Sequence, residues 1–124
     1  MPTFIGYGRF TREAMRGMVQ TPEDRTEPVS KLFEALGGRL ISWHMTPGCD
    51  FDWMLLAEAP NEEVVVTAGL VATGGGGVQD IKVARALSGP EAMMLFQKGS
   101  EAARNFKSAG QPAPSSMNTA THPA

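Results

Sequence analysis

The sequence is poor in the residues that most often carry chemistry, and each shortage narrows the possible functions. Cys49 is the only cysteine among 124 residues, so no disulfide can form within the chain and a reducing compartment is expected. The two histidines, His44 and His122, lie far apart and form no pair at metal-ligand spacing. Few side chains are therefore candidates for catalysis or metal binding.

The sequence also lacks a large net charge and long apolar runs. Eleven basic side chains against thirteen acidic ones leave no basic excess for nucleic acid or anionic lipid. The longest apolar clusters, such as Trp53–Ala57, are far shorter than the roughly 20 residues of a membrane helix. The start, Met-Pro-Thr-Phe, lacks the basic segment and apolar stretch of a signal peptide. We therefore expect a cytoplasmic protein without nucleic-acid or membrane partners.

The amino-terminal segment predicts a strand over residues 3–10. Successive side chains of a strand point to opposite faces, so Gly6 and Gly8 share a face with Phe4 and Phe10. Glycines at these positions leave room for a large side chain to pack against the strand.

A helix is predicted from Thr21 to Leu36. Thr21 is a suitable N-cap and Pro22 suits the first helical position. The apolar residues recur at the spacing of one helix face, namely Val29, Leu32, Phe33 and Leu36. Pro28 lies inside this pattern and predicts either a kink in the first turns or a restart of the helix at that point.

Three further strands and two further helices follow. The second strand, about 39–46, alternates Leu40, Ser42 and His44 against Ile41, Trp43 and Met45. The third, about 51–59, is apolar at its centre without alternation, which predicts that both of its faces are covered. A helix from Asn61 to the glycines at 74–77, a strand over 78–87 and a helix over 90–106 complete the pattern.

The order β-α-β-β-α-β-α predicts an α+β, ferredoxin-like domain over residues 1–106, followed by a disordered tail over residues 107–124. Right-handed crossovers would place the helices on one face of a four-stranded antiparallel sheet. The other face needs a cover, and a second copy could provide it in a dimeric α+β barrel.

Several segments resemble the GYD-domain family of small bacterial proteins. They are Met1–Ile5, Gly8–Thr11, Pro22–Glu27, Gly37–Ser42 and Glu58–Pro60. The resemblance covers about residues 1–100 and implies membership of the dimeric α+β-barrel superfamily. It implies no established reaction.

The family takes its name from a Gly-x-Tyr-Asp stretch at the start of the third strand. This sequence has Gly48-Cys49-Asp50-Phe51-Asp52 there, which is one residue longer and carries Phe in place of Tyr. Any role of the motif's aspartate therefore falls on Asp52, whereas a role of the tyrosine hydroxyl has no counterpart here.

His44 and Asp52 are the candidate catalytic residues. They could form the acid–base pair of a cofactor-independent enzyme of the monooxygenase or isomerase kind. Alternatively, His44 is a strand histidine hydrogen-bonded at an interface and Asp52 is a turn acceptor. Cys49 and Asp50 lie near them, but the spacing matches no standard metal site, so no metal is predicted.

A set of aromatic and polar residues is predicted to bind a small molecule between sheet and helices: Tyr7, Arg9, Ser42, Trp43 and Trp53. Arg9 could bind a carboxylate bidentately. The leading hypothesis is a homodimer that binds a small, partly apolar ligand and needs no cofactor. Tyr7 and Trp43 could instead form the core of the dimer, and a structural or assembly subunit is the third possibility.

Overall fold

The computed structural model describes residues 1–112, which contain four strands and four helices. In chain order they are β1 (Thr3–Phe10), α1 (Arg12–Gln20), α2 (Thr26–Ala35), β2 (Arg39–Met45), β3 (Trp53–Glu58), α3 (Glu62–Gly74), β4 (Val78–Ala86) and α4 (Gly89–Ala103). The chain divides into two compact units, residues 1–86 and the part from Leu87 onward. Within residues 1–112, no helix has the length and hydropathy needed to cross a membrane.

The four strands form one sheet in the order β2-β3-β1-β4, and every neighbouring pair is antiparallel. This order and the helices between the strands make an α+β, ferredoxin-like fold, as the sequence predicts. Most of the segment predicted to be a disordered tail, residues 113–124, lies outside the described residues.

One face of the sheet, here called the covered face, carries the core. Phe4, Gly6, Gly8 and Phe10 of β1 are all buried on it, and the residues between them are not. A Cβ atom added at Gly8 would lie 2.9 Å from Cζ2 of Trp53, so the indole rests directly on the strand backbone. The structure thus confirms that the glycines leave room for a large side chain.

The helices α1, α2 and α3 pack on this covered face. Phe33 of α2 is 2% exposed, and Val65 and Ala68 of α3 are buried in the same cluster as Phe4 and Leu55. The residues of the predicted apolar helix face join the rim of this core, namely Val29, Leu32 and Leu36. Burial of this one face organises the first unit.

The predicted start of the main helix at Thr21 is wrong. Thr21 ends α1, where its N–H donates to the Gly17 carbonyl, and α2 begins at Thr26. The Asp24 carboxylate accepts from the Thr26 N–H at 2.9 Å. Hydrogen bonds from the backbone and then the side chain of Thr26 lower the pKa of Asp24.

The new helix start also explains Pro28. As the third residue of α2, Pro28 occupies the first turn, where a backbone N–H would have no partner within the helix. The missing donor therefore costs no helical hydrogen bond, and the position provides no reason for a kink.

The predicted strict alternation of β2 is also wrong. Leu40 pairs with Ala57 but Ser42 pairs with Leu56, so the register shifts at Ile41. Such a shift adds one residue and moves every later side chain to the other face. Leu40 therefore shares the covered face with Trp43 rather than with His44.

The other side of the sheet, here called the open face, has no helix of residues 1–86 packed on it. In β3 the buried residues Trp53, Leu55 and Ala57 alternate with half-buried Met54, Leu56 and Glu58. The prediction that both faces of β3 are covered is therefore not met by residues 1–86.

Among residues 87–112 of the second unit, the helix is α4. Ser88 and Glu91 form a capping box, in which the Ser88 hydroxyl accepts from the Glu91 N–H and the Glu91 carboxylate accepts from the Ser88 N–H. Four successive apolar side chains of this helix are exposed, Met93, Met94, Leu95 and Phe96.

Candidate ligand-binding cavity

A cavity of about 730 Å³ lies between the covered face and the helices α1, α2 and α3. All four strands and all three helices contribute to its wall. Most of the lining is apolar, including Met18, Val29, Leu32, Phe33, Leu55, Val65, Ala68, Val71, Ala72, Val78, Ile81 and Val83. The sheet and the helices thus leave a partly open, mainly apolar space beside the hydrophobic core of the first unit.

Three aromatic rings form part of the wall. Phe10 and Trp43 lie with ring centroids 6.2 Å apart and their planes tilted by 48°. Trp53 is 6% exposed, and its Nε1 is buried without a hydrogen-bond partner in residues 1–112. Buried N–H groups nearly always have a partner, so this one is exceptional.

The charged side chains of the lining are Glu23 and Arg25, in the loop between α1 and α2. Arg25 Nη1 lies 3.4 Å from Glu23 Oε1, and the two side chains are 32% and 48% exposed. The two charges therefore neutralise each other at a partly solvated margin of the cavity, leaving the remaining wall uncharged.

The structure divides the five predicted ligand-binding residues between the two faces of the sheet. Trp43 and Trp53 line the cavity. Tyr7 and Arg9 alternate with the covered residues of β1, and Ser42 pairs with Leu56, so all three lie on the open face. The two-residue period of a strand and the register shift in β2 produce this division.

Tyr7 and Arg9 contact the loop that carries the family motif. The rings of Tyr7 and Phe51 have centroids 4.6 Å apart with a tilt of 43°. Arg9 Nη1 donates to the Asp50 carbonyl at 3.3 Å. Both side chains thus stabilise the loop between β2 and β3.

Asp52 joins that loop to the end of β1. Its Oδ2 accepts from the Phe10 N–H at 2.9 Å, and its own N–H donates to the Gly8 carbonyl at 2.8 Å. His44 is exposed on β2, and no hydrogen bond joins it to Asp52 within residues 1–112. Their acid–base pairing stays a prediction, and the contacts of Asp52 match its alternative interpretation as a turn acceptor.

Cys49 is a free, exposed thiol in the same loop. Across residues 1–112, no three or more His, Cys, Asp or Glu side chains are grouped so that they could hold a metal ion. The nearby residues Asp50 and Asp52 are instead engaged through the backbone and side-chain contacts of the loop.

The contribution of α3 to the cavity is absent from the sequence prediction, although a signal exists. Ala68, Gly69 and Ala72 fall on one side of this helix and are small, so they leave space between the helix and the sheet. Glu23 and Arg25 were not predicted either, because their placement depends on where α1 ends and α2 begins.

Residues 4–96 match the family model of the GYD domain, which confirms the resemblance seen in the separate segments. The matched range includes all four strands and extends into α4. No curated protein matches the chain.

Proposed function

The chain belongs to the GYD-domain family, and we propose that this member binds a small, largely apolar molecule between its sheet and its helices. The observation that supports this function is the cavity of about 730 Å³ with a mainly apolar wall. Ligand sites commonly have volumes of roughly 300–1,000 Å³ and are lined mainly by apolar and aromatic side chains. An apolar ligand in this space would contact the apolar side chains that line it.

The binding test uses N-phenyl-1-naphthylamine, a neutral probe whose fluorescence rises in apolar surroundings. We expect saturable binding to the full chain and loss of at least tenfold in affinity for Ala68→Phe. Ala68 lines the cavity and is 5% exposed, so the added ring would occupy ligand space. Ala72→Phe provides a second filling variant at a less buried position of the same wall.

The matched control is Leu70→Phe, which adds a ring to the same helix at a position 67% exposed. Leu70 does not belong to the cavity wall, so its replacement should leave probe affinity unchanged. Thermal unfolding of each variant separates loss of the site from loss of the fold. Absence of binding to the unaltered chain, or equal affinity for folded Ala72→Phe, would overturn the proposed function.

We propose in addition that the protein is a homodimer whose two copies meet through their open faces. The support is the row of half-buried apolar side chains on that face, Ile5, Tyr7, Met54 and Leu56. Contiguous exposed apolar area of this kind is typical of a protein interface. A paired sheet would remove these side chains from water and complete the burial of β3.

Light scattering coupled to size-exclusion chromatography tests this assembly. The unaltered chain should elute with twice the mass of one chain, and Leu56→Asp should elute as a monomer because it places a charge at the centre of the interface. Leu70→Asp introduces the same charge on α3 and should leave the dimer intact. A monomeric unaltered chain would contradict the proposed assembly.

A further inference from the structure

The indole N–H of Trp53 is a buried hydrogen-bond donor to which the proposed function assigns no role. The side chain is 6% exposed and lines the cavity, and Nε1 has no hydrogen-bond partner in residues 1–112. Leaving such a donor unpaired is unfavourable, and native proteins rarely keep one. Because Trp53 is one of the residues that line the cavity, a bound ligand is the acceptor that we consider for this N–H.

The position of the ring is fixed by packing. Cζ2 of Trp53 lies so close to the backbone of β1 that a Cβ atom at Gly8 would come within 2.9 Å of it. The absence of a side chain at Gly8 is therefore what accommodates the indole. A ring held in this way cannot rotate freely to find a protein acceptor.

The charges of the wall indicate what kind of acceptor fits. Glu23 and Arg25 are the charged side chains of the lining, and they pair with each other at the solvated margin. An ionised ligand in the apolar part would lose its hydration without gaining a counter-charge. A neutral acceptor, such as a carbonyl oxygen, would accept from the N–H without that loss.

We propose that the ligand is a neutral, largely hydrocarbon molecule with one carbonyl-type oxygen, which accepts a hydrogen bond from Trp53 Nε1. This inference rests on the proposed function, because it specifies the chemistry of the molecule that the cavity binds. Apolar contacts supply most of the affinity, and the indole selects for the oxygen and fixes the orientation of the ligand.

The test compares two neutral probes of nearly equal shape, 2-acetylnaphthalene and 2-isopropenylnaphthalene. The first carries a carbonyl oxygen where the second carries a CH₂ group. Calorimetric titration of the full chain gives the ratio of their affinities. We expect the ratio of ketone affinity to alkene affinity to be about tenfold lower in Trp53→Phe than in the unaltered chain. This variant keeps an aromatic ring but lacks the donor.

Trp43→Phe is the matched control, since it makes the same substitution at the other indole of the wall. It should act on both probes alike and leave the affinity ratio unchanged. A third probe, 2-naphthoate, tests the charge, and we expect its affinity to be at least tenfold below that of the ketone. Naphthoate binding as tightly as the ketone would overturn the requirement for a neutral ligand.

A measurement on the unaltered chain covers the case in which Trp53→Phe does not fold. The indole N–H proton of Trp53, assigned by comparison with Trp43→Phe, should move downfield in the NMR spectrum with the ketone but not with the alkene. If both probes bind but neither the proton shift nor the affinity ratio depends on the carbonyl, the ligand does not accept from the N–H, and a water molecule accepts from it instead. That result would overturn this inference and leave the proposed function intact. If neither probe binds, the proposed function fails together with it.

Discussion

The two faces of the sheet are formed by the same strands but differ in what packs against them. The covered face holds the buried residues of β1 and β3, and a partly open cavity lies between it and the helices. The open face has half-buried side chains and a loop held by Tyr7, Arg9 and Asp52. The cavity therefore lies on one side of the sheet, where we propose ligand binding, whereas we propose assembly on the other.

The candidate site residues also differ in whether their polar groups already have hydrogen-bond partners. Trp53 lines the cavity, and its N–H has no partner among residues 1–112, whereas the Asp52 carboxylate already accepts a backbone N–H. The two residues are neighbours in sequence and nevertheless have different roles. A residue with an unused polar group is the better candidate for ligand recognition, because a fully engaged one would have to lose a bond before it could act.

The largest expected effect comes from replacing neighbours on opposite faces of β1. Phe4→Ala should lower the free energy of unfolding by about 3–5 kcal/mol because Phe4 is 2% exposed in the core. Ile5→Ala should cost about 1–2 kcal/mol, since its side chain is only half-buried. Urea unfolding at several protein concentrations measures both. If both variants lost the same free energy of unfolding at every protein concentration, the two faces of β1 would not differ in their contribution to stability.

A second comparison concerns two glycines of the covered face. Gly8→Ala should cost about 1–3 kcal/mol because its Cβ would lie 2.9 Å from Trp53 and 3.1 Å from the Gln79 carbonyl. Gly6→Ala should be nearly neutral, since its nearest neighbour is the end of the Leu55 side chain at 3.4 Å. Chemical unfolding measures both variants. A Gly8→Ala protein as stable as Gly6→Ala would show that the indole does not rest on the strand.

The loop beside the open face provides a third test. Asp52→Ala should cost about 1–2 kcal/mol because the Phe10 N–H loses its acceptor, and Asp52→Asn should recover most of the loss. Asp50→Ala is the control, since Arg9 contacts the backbone carbonyl of Asp50. Thermal unfolding at pH 7 checks these values. A similar loss for Asp50→Ala would mean that general loop charge, and not the specific bond, determines stability.

The smallest expected effect is the pH response of the loop beside the cavity. Hydrogen bonds from Thr26 lower the pKa of Asp24, so its stabilising contribution is present above the ordinary aspartate pKa and is lost as pH falls through the lower, folded value. The NMR shift of the Thr26 N–H should therefore titrate below that ordinary value.

Two variants control this titration. Asp24→Ala should abolish it, whereas Glu27→Gln, which removes the exposed pair with Lys31, should leave it unchanged. A midpoint at or above the ordinary aspartate pKa would contradict the assigned bond. Loss of the titration in Glu27→Gln would assign it to the wrong carboxylate.

Local patterns were sufficient to predict the strands, the sheet and the family. Gly6 and Gly8 correctly indicated space for a large side chain, because alternation along one strand requires no knowledge of its neighbours. The start of α2 was misplaced because Thr21 is an acceptable N-cap in isolation. In the structure, Thr21 is used to end α1 instead.

The candidate site was harder to predict because it depends on pairings between distant segments. Trp43 and Trp53 were expected to bind ligand and do line the cavity, whereas Tyr7, Arg9 and Ser42 lie on the opposite face. Which face a strand turns towards the helices is decided by the helices, and the shift at Ile41 is decided by pairing with β3. Neither is encoded in the local pattern of one strand.

The sequence by itself determined the ferredoxin-like order of elements and membership of the GYD-domain family, because periodicity, turn residues and family segments are local properties. Only the tertiary structure decided which side chains share the cavity and that the Trp53 N–H lacks a partner in the part of the chain that the structure describes. The physical reason is that burial and hydrogen bonding are properties of neighbours in space. Residues separated by tens of positions must be brought together before a wall, a void or an unpaired donor exists.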